Sequence, residues 1–144
     1  MNSSEKTLVY LSTIFIDISL IWILLNAKLN NYDTIFICTA LFFHLLFYIG
    51  LFFNNRTLLD ICHVMIVIAI LCAVFIQNKI LISLLLTLII YIYITWFIFD
   101  NRCILNTSKQ NKTSRIYEIT GFTSSNLYNI VIIILVFKLA NIIQ

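Results

Sequence analysis

Two ionisable side chains lie deep inside apolar segments of the chain. Asp17 occurs near the middle of the first apolar segment, and His44 occurs near the middle of the second. At about 1.5 Å per helical residue, each lies roughly 13 Å from the same end of its helix, so a helical hairpin brings them to one depth. A hydrogen-bonded Asp–His pair can share a proton and avoids the cost of an isolated buried charge. The spacing therefore predicts that the two side chains touch, either as a polar clasp between helices or as a proton relay.

A second candidate pair opens the third apolar segment. Asp60 and His63 are three residues apart, so they share one face of a helix near its end. With His44 they form a sparse set of metal ligands, but the sequence contains no HxxxH, HExxH or CxxC spacing. His63 also lies roughly 6 Å shallower than His44, which does not suit two axial ligands of one haem. We expect a partly hydrated polar pair here, and we expect neither a metal nor another cofactor.

Hydroxyl side chains recur at every fourth residue of the fourth apolar segment. They are Ser83, Thr87, Tyr91 and Thr95. On a helix this spacing makes a slowly winding polar stripe. Such hydroxyls can line a hydrated path, or they can bond their own backbone and neighbouring helices. We expect the stripe to face the interior of a helix bundle, and we expect Leu85 to face lipid.

The elements that hold these residues are predicted to be membrane helices. The chain has 144 residues, of which 62% are hydrophobic and only 10% are charged, whereas soluble domains carry about a quarter charged residues. A single domain of this length cannot hide so much apolar surface from water. The net charge of +3 comes from scattered Lys and Arg residues and indicates no nucleic-acid-binding surface. The composition predicts an all-α integral membrane protein.

Five segments within a single membrane domain, residues 1–144, are candidates for membrane spans. A span needs roughly 20 mostly apolar residues. The predicted spans are 8–25, 35–53, 58–76, 80–99 and 127–143. The last one carries Asn129, Lys138 and Asn141, so a helix that lies in the membrane interface is the alternative for it. The prediction is a bundle of five transmembrane helices with one long polar loop at 100–126.

The distribution of basic residues sets the expected orientation. Five spans place the N-terminal end, residues 54–57 and the loop 100–126 on one side of the membrane. That side holds Lys6, Arg56, Arg102, Lys109, Lys112 and Arg115, whereas the other side holds Lys28 and Lys79, with Lys138 able to snorkel there. The positive-inside rule then puts the N-terminus in the cytoplasm and the C-terminus on the opposite side. The sequons at Asn2, Asn55, Asn106 and Asn111 lie on the basic side and argue for the reverse. In so Asn-rich a chain we attribute these sequons to chance.

The end of the fourth segment carries a resemblance to a known group of proteins. Trp96 is followed by Asn101, Cys103 and Leu105 in an Asn-x-Cys-x-Leu pattern. This stretch of about a dozen residues resembles the exit of a late helix in small uncharacterised polytopic membrane proteins encoded by large DNA viruses. In those proteins a Thr follows the Leu, whereas Asn106 follows it here. The resemblance implies a multi-pass viral membrane protein and implies no activity.

The sequence contains none of the motifs that mark common membrane chemistries. A TVGYG-like filter, a GxSxG turn, a Gly-rich phosphate loop and paired cysteines are all absent. We therefore expect a structural or accessory membrane component and not an enzyme, with the lipid bilayer and other membrane proteins or further copies of itself as partners. The alternative is a small proton or ion channel, viroporin or transporter subunit that uses Asp17, His44 and the polar stripe. A metal or haem protein that uses His44 and His63 is a third hypothesis.

Overall fold

The computed structural model describes residues 3–98 and 124–141, which form helices joined by short connections. The elements are α1 (Ser3–Asn26), α2 (Asn31–Phe52), α3 (Arg56–Cys72), a 3-10 turn (Ala73–Phe75), α4 (Lys79–Ile98) and α5 (Ser124–Leu139). No strand occurs in either described range. The predicted all-α fold is confirmed.

Three of the helices are long and apolar enough to cross a membrane. They cover Thr7–Asn26, Asn31–Phe52 and Arg56–Phe75, and the apolar stretches Lys79–Thr95 and Tyr128–Leu139 are shorter. Large apolar side chains on these helices point away from the rest of the chain; Phe15 is 67% exposed and Leu25 is 76% exposed. An outward surface of this kind is unfavourable in water and favourable in lipid. The chain is therefore a membrane-embedded protein.

Asparagine side chains begin the second and third helices. Asn30 Oδ1 accepts a hydrogen bond from the backbone N–H of Asp33 at 2.7 Å, and Asn55 Oδ1 accepts one from Leu58 N–H at 3.2 Å. Each satisfies a backbone N–H that the first turn of a helix leaves without a partner. Because α2 begins at Asn31, Asp33 lies in its first turn and not in a loop, contrary to the boundary predicted at residue 35.

The last helix is displaced from its predicted boundaries. α5 begins at Ser124, inside the predicted loop 100–126, and it ends at Leu139, before the predicted boundary at 143. Asn141 adopts a left-handed backbone with φ 57°, which terminates an α-helix and which Asn tolerates better than most residues. The rest of the predicted loop lies outside the described residues.

The helices pack as a ring. α1 contacts α2 and α4, α2 contacts α3, and α5 contacts both α3 and α4. The order around the ring is therefore α1, α2, α3, α5, α4. Neighbouring helices in the ring run in opposite directions, except α3 and α5, which run in the same direction. We call the end of the bundle where α2 and α4 begin the Asp33 end, and the opposite end the Gly50 end.

Packing is concentrated at the Asp33 end. The main core takes buried side chains from every helix, among them Ile23, Ile37, Ile70, Leu81, Leu85, Ile89 and Leu135. A smaller core at the Gly50 end comes from α1, α2 and α3 alone and contains Val9, Phe47, Leu59 and Cys62. There a Cβ atom at Gly50 would lie 3.1 Å from Leu59 Cδ2, so α2 and α3 approach closely. Asp17 and His44 lie in the stretch between the two cores.

Candidate functional site: a triad between the first two helices

The carboxylate of Asp17 joins α1 to α2 through two hydrogen bonds. Its Oδ1 lies 2.5 Å from His44 Nδ1, and its Oδ2 accepts a hydrogen bond from the Tyr48 hydroxyl at 2.6 Å. The side chains of Asp17 and His44 are each 17% exposed. The predicted contact between Asp17 and His44 is confirmed, and Tyr48 is a third member that the sequence analysis missed. We call these three side chains the triad.

Helical periodicity places both donors of the triad opposite Asp17. His44 and Tyr48 are four residues apart in α2, so they lie one above the other on the face that packs against α1. The four-residue spacing between an intramembrane histidine and a tyrosine is the sequence signal that could have identified Tyr48. Thr13, one turn before Asp17 in α1, is also buried, but its hydroxyl bonds the carbonyl of Val9 in its own helix.

The hydrogen bonds of Asp17 determine which nitrogen of His44 is available to other molecules. A carboxylate accepts and does not donate, so Nδ1 carries the hydrogen in the arrangement with an ionised Asp17. A hydrogen bond of this kind to a charged acceptor is stronger than one between neutral groups. Among the described residues, Nε2 of His44 has no hydrogen-bond partner. Asp17 therefore holds the His44 ring through Nδ1, and Nε2 is available to another molecule.

Two cavities flank the triad, one on each side of α2. The larger, the α1–α2 cleft, has a volume of about 520 Å³ at the Gly50 end and is lined by Tyr10, Tyr48 and Phe52, among others. The rings of Tyr10 and Tyr48 meet edge to face there, with centroids 5.2 Å apart. The smaller, the α2–α3 groove, has a volume of about 240 Å³ and is lined in part by His44. Tyr48 faces one cavity and His44 faces the other, and Asp17 connects them.

The second predicted pair is not part of this site. Asp60 is exposed on α3 and His63 is half-buried. Across residues 3–98 and 124–141, no group of three or more His, Cys, Asp or Glu side chains could hold a metal ion.

The prediction that the hydroxyl stripe of α4 faces the bundle interior is wrong for most of its length. Ser83 and Thr87 are exposed, Tyr91 is half-buried, and only Thr95 is buried, at 8% exposed. Leu85, which we expected to face lipid, is 6% exposed and belongs to the main core.

The hydroxyls of α4 can face outward because they already have hydrogen-bond partners in their own helix. Ser83 Oγ donates to the carbonyl of Lys79, and Thr87 Oγ1 donates to the carbonyl of Ser83, both at 2.9 Å. A hydroxyl that bonds its own helix backbone needs no partner from another helix, so it can face lipid. The branched side chains of Leu85 and Ile89 then fill the interior, where they gain more packing contacts than hydroxyls would.

Asp33 is a buried polar residue that the sequence analysis assigned to a loop. It is only 1% exposed. Its Oδ1 accepts from the backbone N–H of Gln77 at 3.2 Å, and its Oδ2 accepts from Asn78 N–H at 3.0 Å. Asn78 Oδ1 in turn accepts from the first backbone N–H groups of α4. The carboxylate thus lies at the positive end of the α4 dipole and fixes the start of α4 on α2. A lone Asp just before a predicted span is a weak signal for such a role.

Lys138 contacts the backbone at the same end of the bundle. Its Nζ donates to the carbonyl of Ile76 at 2.8 Å, directly after the 3-10 turn. This contact holds the end of α5 against the connection between α3 and α4. It belongs to the same end of the bundle as Asp33, and the two contacts together fasten α2, α4 and α5.

Comparison of the chain with protein-family models, with characterised proteins and with solved structures finds no match. The segment that carries the resemblance to viral membrane proteins lies mostly outside the described residues, and that resemblance stays a prediction.

Proposed function

We propose that this chain is a structural or accessory integral membrane protein and that the triad is the clasp that fixes α1 against α2. The observation that carries the proposal is that both oxygens of Asp17 are occupied by donors from the neighbouring helix. In hydrocarbon an unpaired carboxylate or hydroxyl is costly. An Asp17 carboxylate whose two oxygens both have donors from α2 therefore favours this arrangement of α1 and α2 over others.

The proposal includes five spans, with the Gly50 end in the cytoplasm. Two observations support it: α5 packs against α3 and α4, and Lys138 brings the end of α5 to the Asp33 end. The start of α1 and the end of α5 then lie on opposite sides of the membrane, as an odd number of spans requires. The excess of Lys and Arg near the Gly50 end favours its cytoplasmic placement.

A double-mutant cycle tests the clasp. Asp17→Leu, His44→Leu and the double variant are compared with the unaltered protein by their free energies of unfolding in mixed detergent micelles. We expect the two substitutions to be non-additive by about 1–2 kcal/mol, the upper range for hydrogen bonds between membrane helices. A second cycle repeats the same four proteins with Tyr48→Phe added to each. It removes the effect of the Tyr48 hydroxyl, which loses its acceptor when Asp17 is replaced.

The control cycle pairs Asp17→Leu with Asp60→Ala, which lies on another helix and is exposed. That pair should be additive. Additivity of the Asp17 and His44 substitutions in both backgrounds would contradict the clasp, because each residue would then act without the other.

A second candidate function is proton transfer along the triad. The observation that favours it is the position of the triad between the α1–α2 cleft and the α2–α3 groove. A proton that reaches Nε2 of His44 from the groove allows Nδ1 to release its hydrogen to the Asp17 carboxylate. The protonated carboxyl group, once rotated toward Tyr48, can pass that hydrogen to the Tyr48 oxygen while the Tyr48 hydroxyl releases its own hydrogen into the cleft. The α4 stripe is not part of this path, because Ser83 and Thr87 face outward.

Proton flux through liposomes with an internal pH-sensitive dye separates the two functions. A relay predicts flux that falls severalfold in Asp17→Asn and is unchanged in Asp60→Asn. Flux no greater than in protein-free liposomes would exclude the relay and leave the clasp standing.

A further inference from the structure

The α2–α3 groove is narrow and apolar. It runs along α2 from Tyr32 to His44 and along α3 from Met65 to Cys72, which corresponds to about 10–18 Å of helix. Its volume of about 240 Å³ is below the roughly 300–1,000 Å³ of sites for drug-sized ligands. These dimensions suit a single short chain and not a fused-ring body.

The groove opens to lipid along one side, and a hydrogen bond bridges its two walls at the Asp33 end. Ile35 and Ile68, which line it, are 65% and 45% exposed. At the Asp33 end the Tyr32 hydroxyl donates to the carbonyl of Cys72 at 2.9 Å, and this bond ties the two walls together. A molecule can therefore enter the groove sideways from the hydrocarbon.

His44 supplies a polar group at the other end of the groove. Because Asp17 holds Nδ1, the nitrogen that His44 can offer to the groove is Nε2, which accepts a hydrogen bond in the neutral ring. A hydroxyl group dissolved in hydrocarbon has no acceptor, and this costs it several kcal/mol. An acceptor at this depth therefore selects apolar molecules that carry one hydrogen-bond donor.

We propose that the α2–α3 groove binds a neutral, lipid-dissolved, single-chain amphiphile whose one hydroxyl group donates to Nε2 of His44. The aromatic and thioether side chains of Phe36, Phe43 and Met65 contact its chain. The proposal rests on the Asp17–His44 contact that underlies the clasp, but it requires neither proton transfer nor any change in the packing of α1.

Photolabelling with a matched pair of probes tests the proposal. The protein in phosphatidylcholine vesicles is irradiated with a diazirine-bearing 1-octanol or with the diazirine-bearing octane of equal length, and adducts are located by mass spectrometry. We expect the alcohol to label groove residues about two- to tenfold more than the alkane does, as one additional hydrogen bond would give. Excess plain 1-octanol should suppress these adducts, whereas both probes should label the lipid-facing Phe15 equally.

Two variants separate the groove from the clasp. Ala69→Phe fills the groove and leaves the triad intact, so groove adducts of the alcohol should fall severalfold. Val64→Phe, on an exposed position of the same helix outside the groove, should leave them unchanged. Equal labelling of the groove by alcohol and alkane in the unaltered protein would overturn the proposal. That result would leave the double-mutant cycle of the clasp unaffected.

Discussion

Asp17 supplies both acceptors of the triad, and His44 and Tyr48 each supply one donor. The three substitutions therefore have unequal consequences. Replacing Asp17 leaves two donors without their partner, whereas replacing either donor leaves one acceptor oxygen free. We expect Asp17 to be the most sensitive of the three positions, because the penalty arises from buried groups that are left unpaired.

Tyr48 provides the cleanest test at the scale of one hydrogen bond. Tyr48→Phe keeps the ring and its contact with Tyr10 and removes only the hydroxyl that bonds Asp17. We expect it to lower the free energy of unfolding by about 1 kcal/mol, measured by detergent titration.

Tyr10→Phe is the matched control for Tyr48. Tyr10 lines the same cleft, and its hydroxyl forms no hydrogen bond with another described residue. It should therefore leave stability unchanged. Equal effects of Tyr48→Phe and Tyr10→Phe would show that the bond to Asp17 contributes nothing.

The sequence predicted the contact between Asp17 and His44 because two costly groups lay at one depth in a helical hairpin. It did not predict Tyr48, since a tyrosine in a membrane segment is not costly enough by itself to demand a partner. Asp33 was missed for another reason. Its role depends on the backbone of Gln77 and Asn78, which are distant in sequence and carry no side-chain signal for that contact.

At the scale of the helix, α4 shows why a periodic pattern does not determine direction. The stripe of Ser83, Thr87 and Tyr91 defines a face, but the sequence does not say whether that face is inside or outside. In water, hydroxyls would be placed outside by the hydrophobic effect. In lipid both faces of the helix meet apolar surroundings, so the packing of Leu85 and its neighbours determines which face points into the bundle.

Cysteine labelling tests the observed direction of α4. Ser83→Cys and Thr87→Cys should react with a lipid-dissolved maleimide several times faster than Leu85→Cys, because Leu85 is buried in the main core. Labelling is measured as the rate of mass increase in a background with its native cysteines replaced. Faster reaction at Leu85→Cys would show that the hydroxyl stripe faces the bundle interior, as the sequence predicted.

The start of α4 depends on Asp33 of another helix. Asp33→Ala leaves the partly buried N–H groups of Gln77 and Asn78 without their acceptor. We expect the free energy of unfolding to fall by about 1–3 kcal/mol. The exposed Asp60→Ala serves as the control and should have no measurable effect. A loss of stability no larger than that of the control would mean that water replaces the Asp33 carboxylate without cost.

At the scale of the whole molecule, the ring of helices explains which parts of the fold the sequence could predict. Short connections predict successive antiparallel hairpins for α1 to α4, and the apolar segments predict their boundaries to within a few residues. The position of α5 between α3 and α4 could not be predicted. It depends on side chains such as Tyr128 and Leu135, which reach a core that belongs to several distant segments.

Topology is the prediction that belongs to the whole molecule. With five spans and the Gly50 end in the cytoplasm, Lys109 and Lys112 should be cleaved by trypsin added to the cytoplasmic side of sealed vesicles. The sequons at Asn106 and Asn111 should remain unglycosylated in microsomes. Glycosylation of either asparagine would show that the orientation is the reverse. Protease access to both ends of the chain from one side would show that α5 does not cross the membrane.

The contact between Asp17 and His44 is the claim on which the clasp, the relay and the groove all depend. Solid-state NMR in lipid bilayers measures it directly, as the dipolar coupling between Asp 13Cγ and His 15Nδ1 atoms. In a His63→Gln background His44 is the only histidine, and Asp17→Leu identifies the signal by its loss. A hydrogen-bonded pair predicts a C–N distance of about 3–4 Å. A distance above about 6 Å, too long even for a bridging water, would contradict the clasp, the relay and the groove alike.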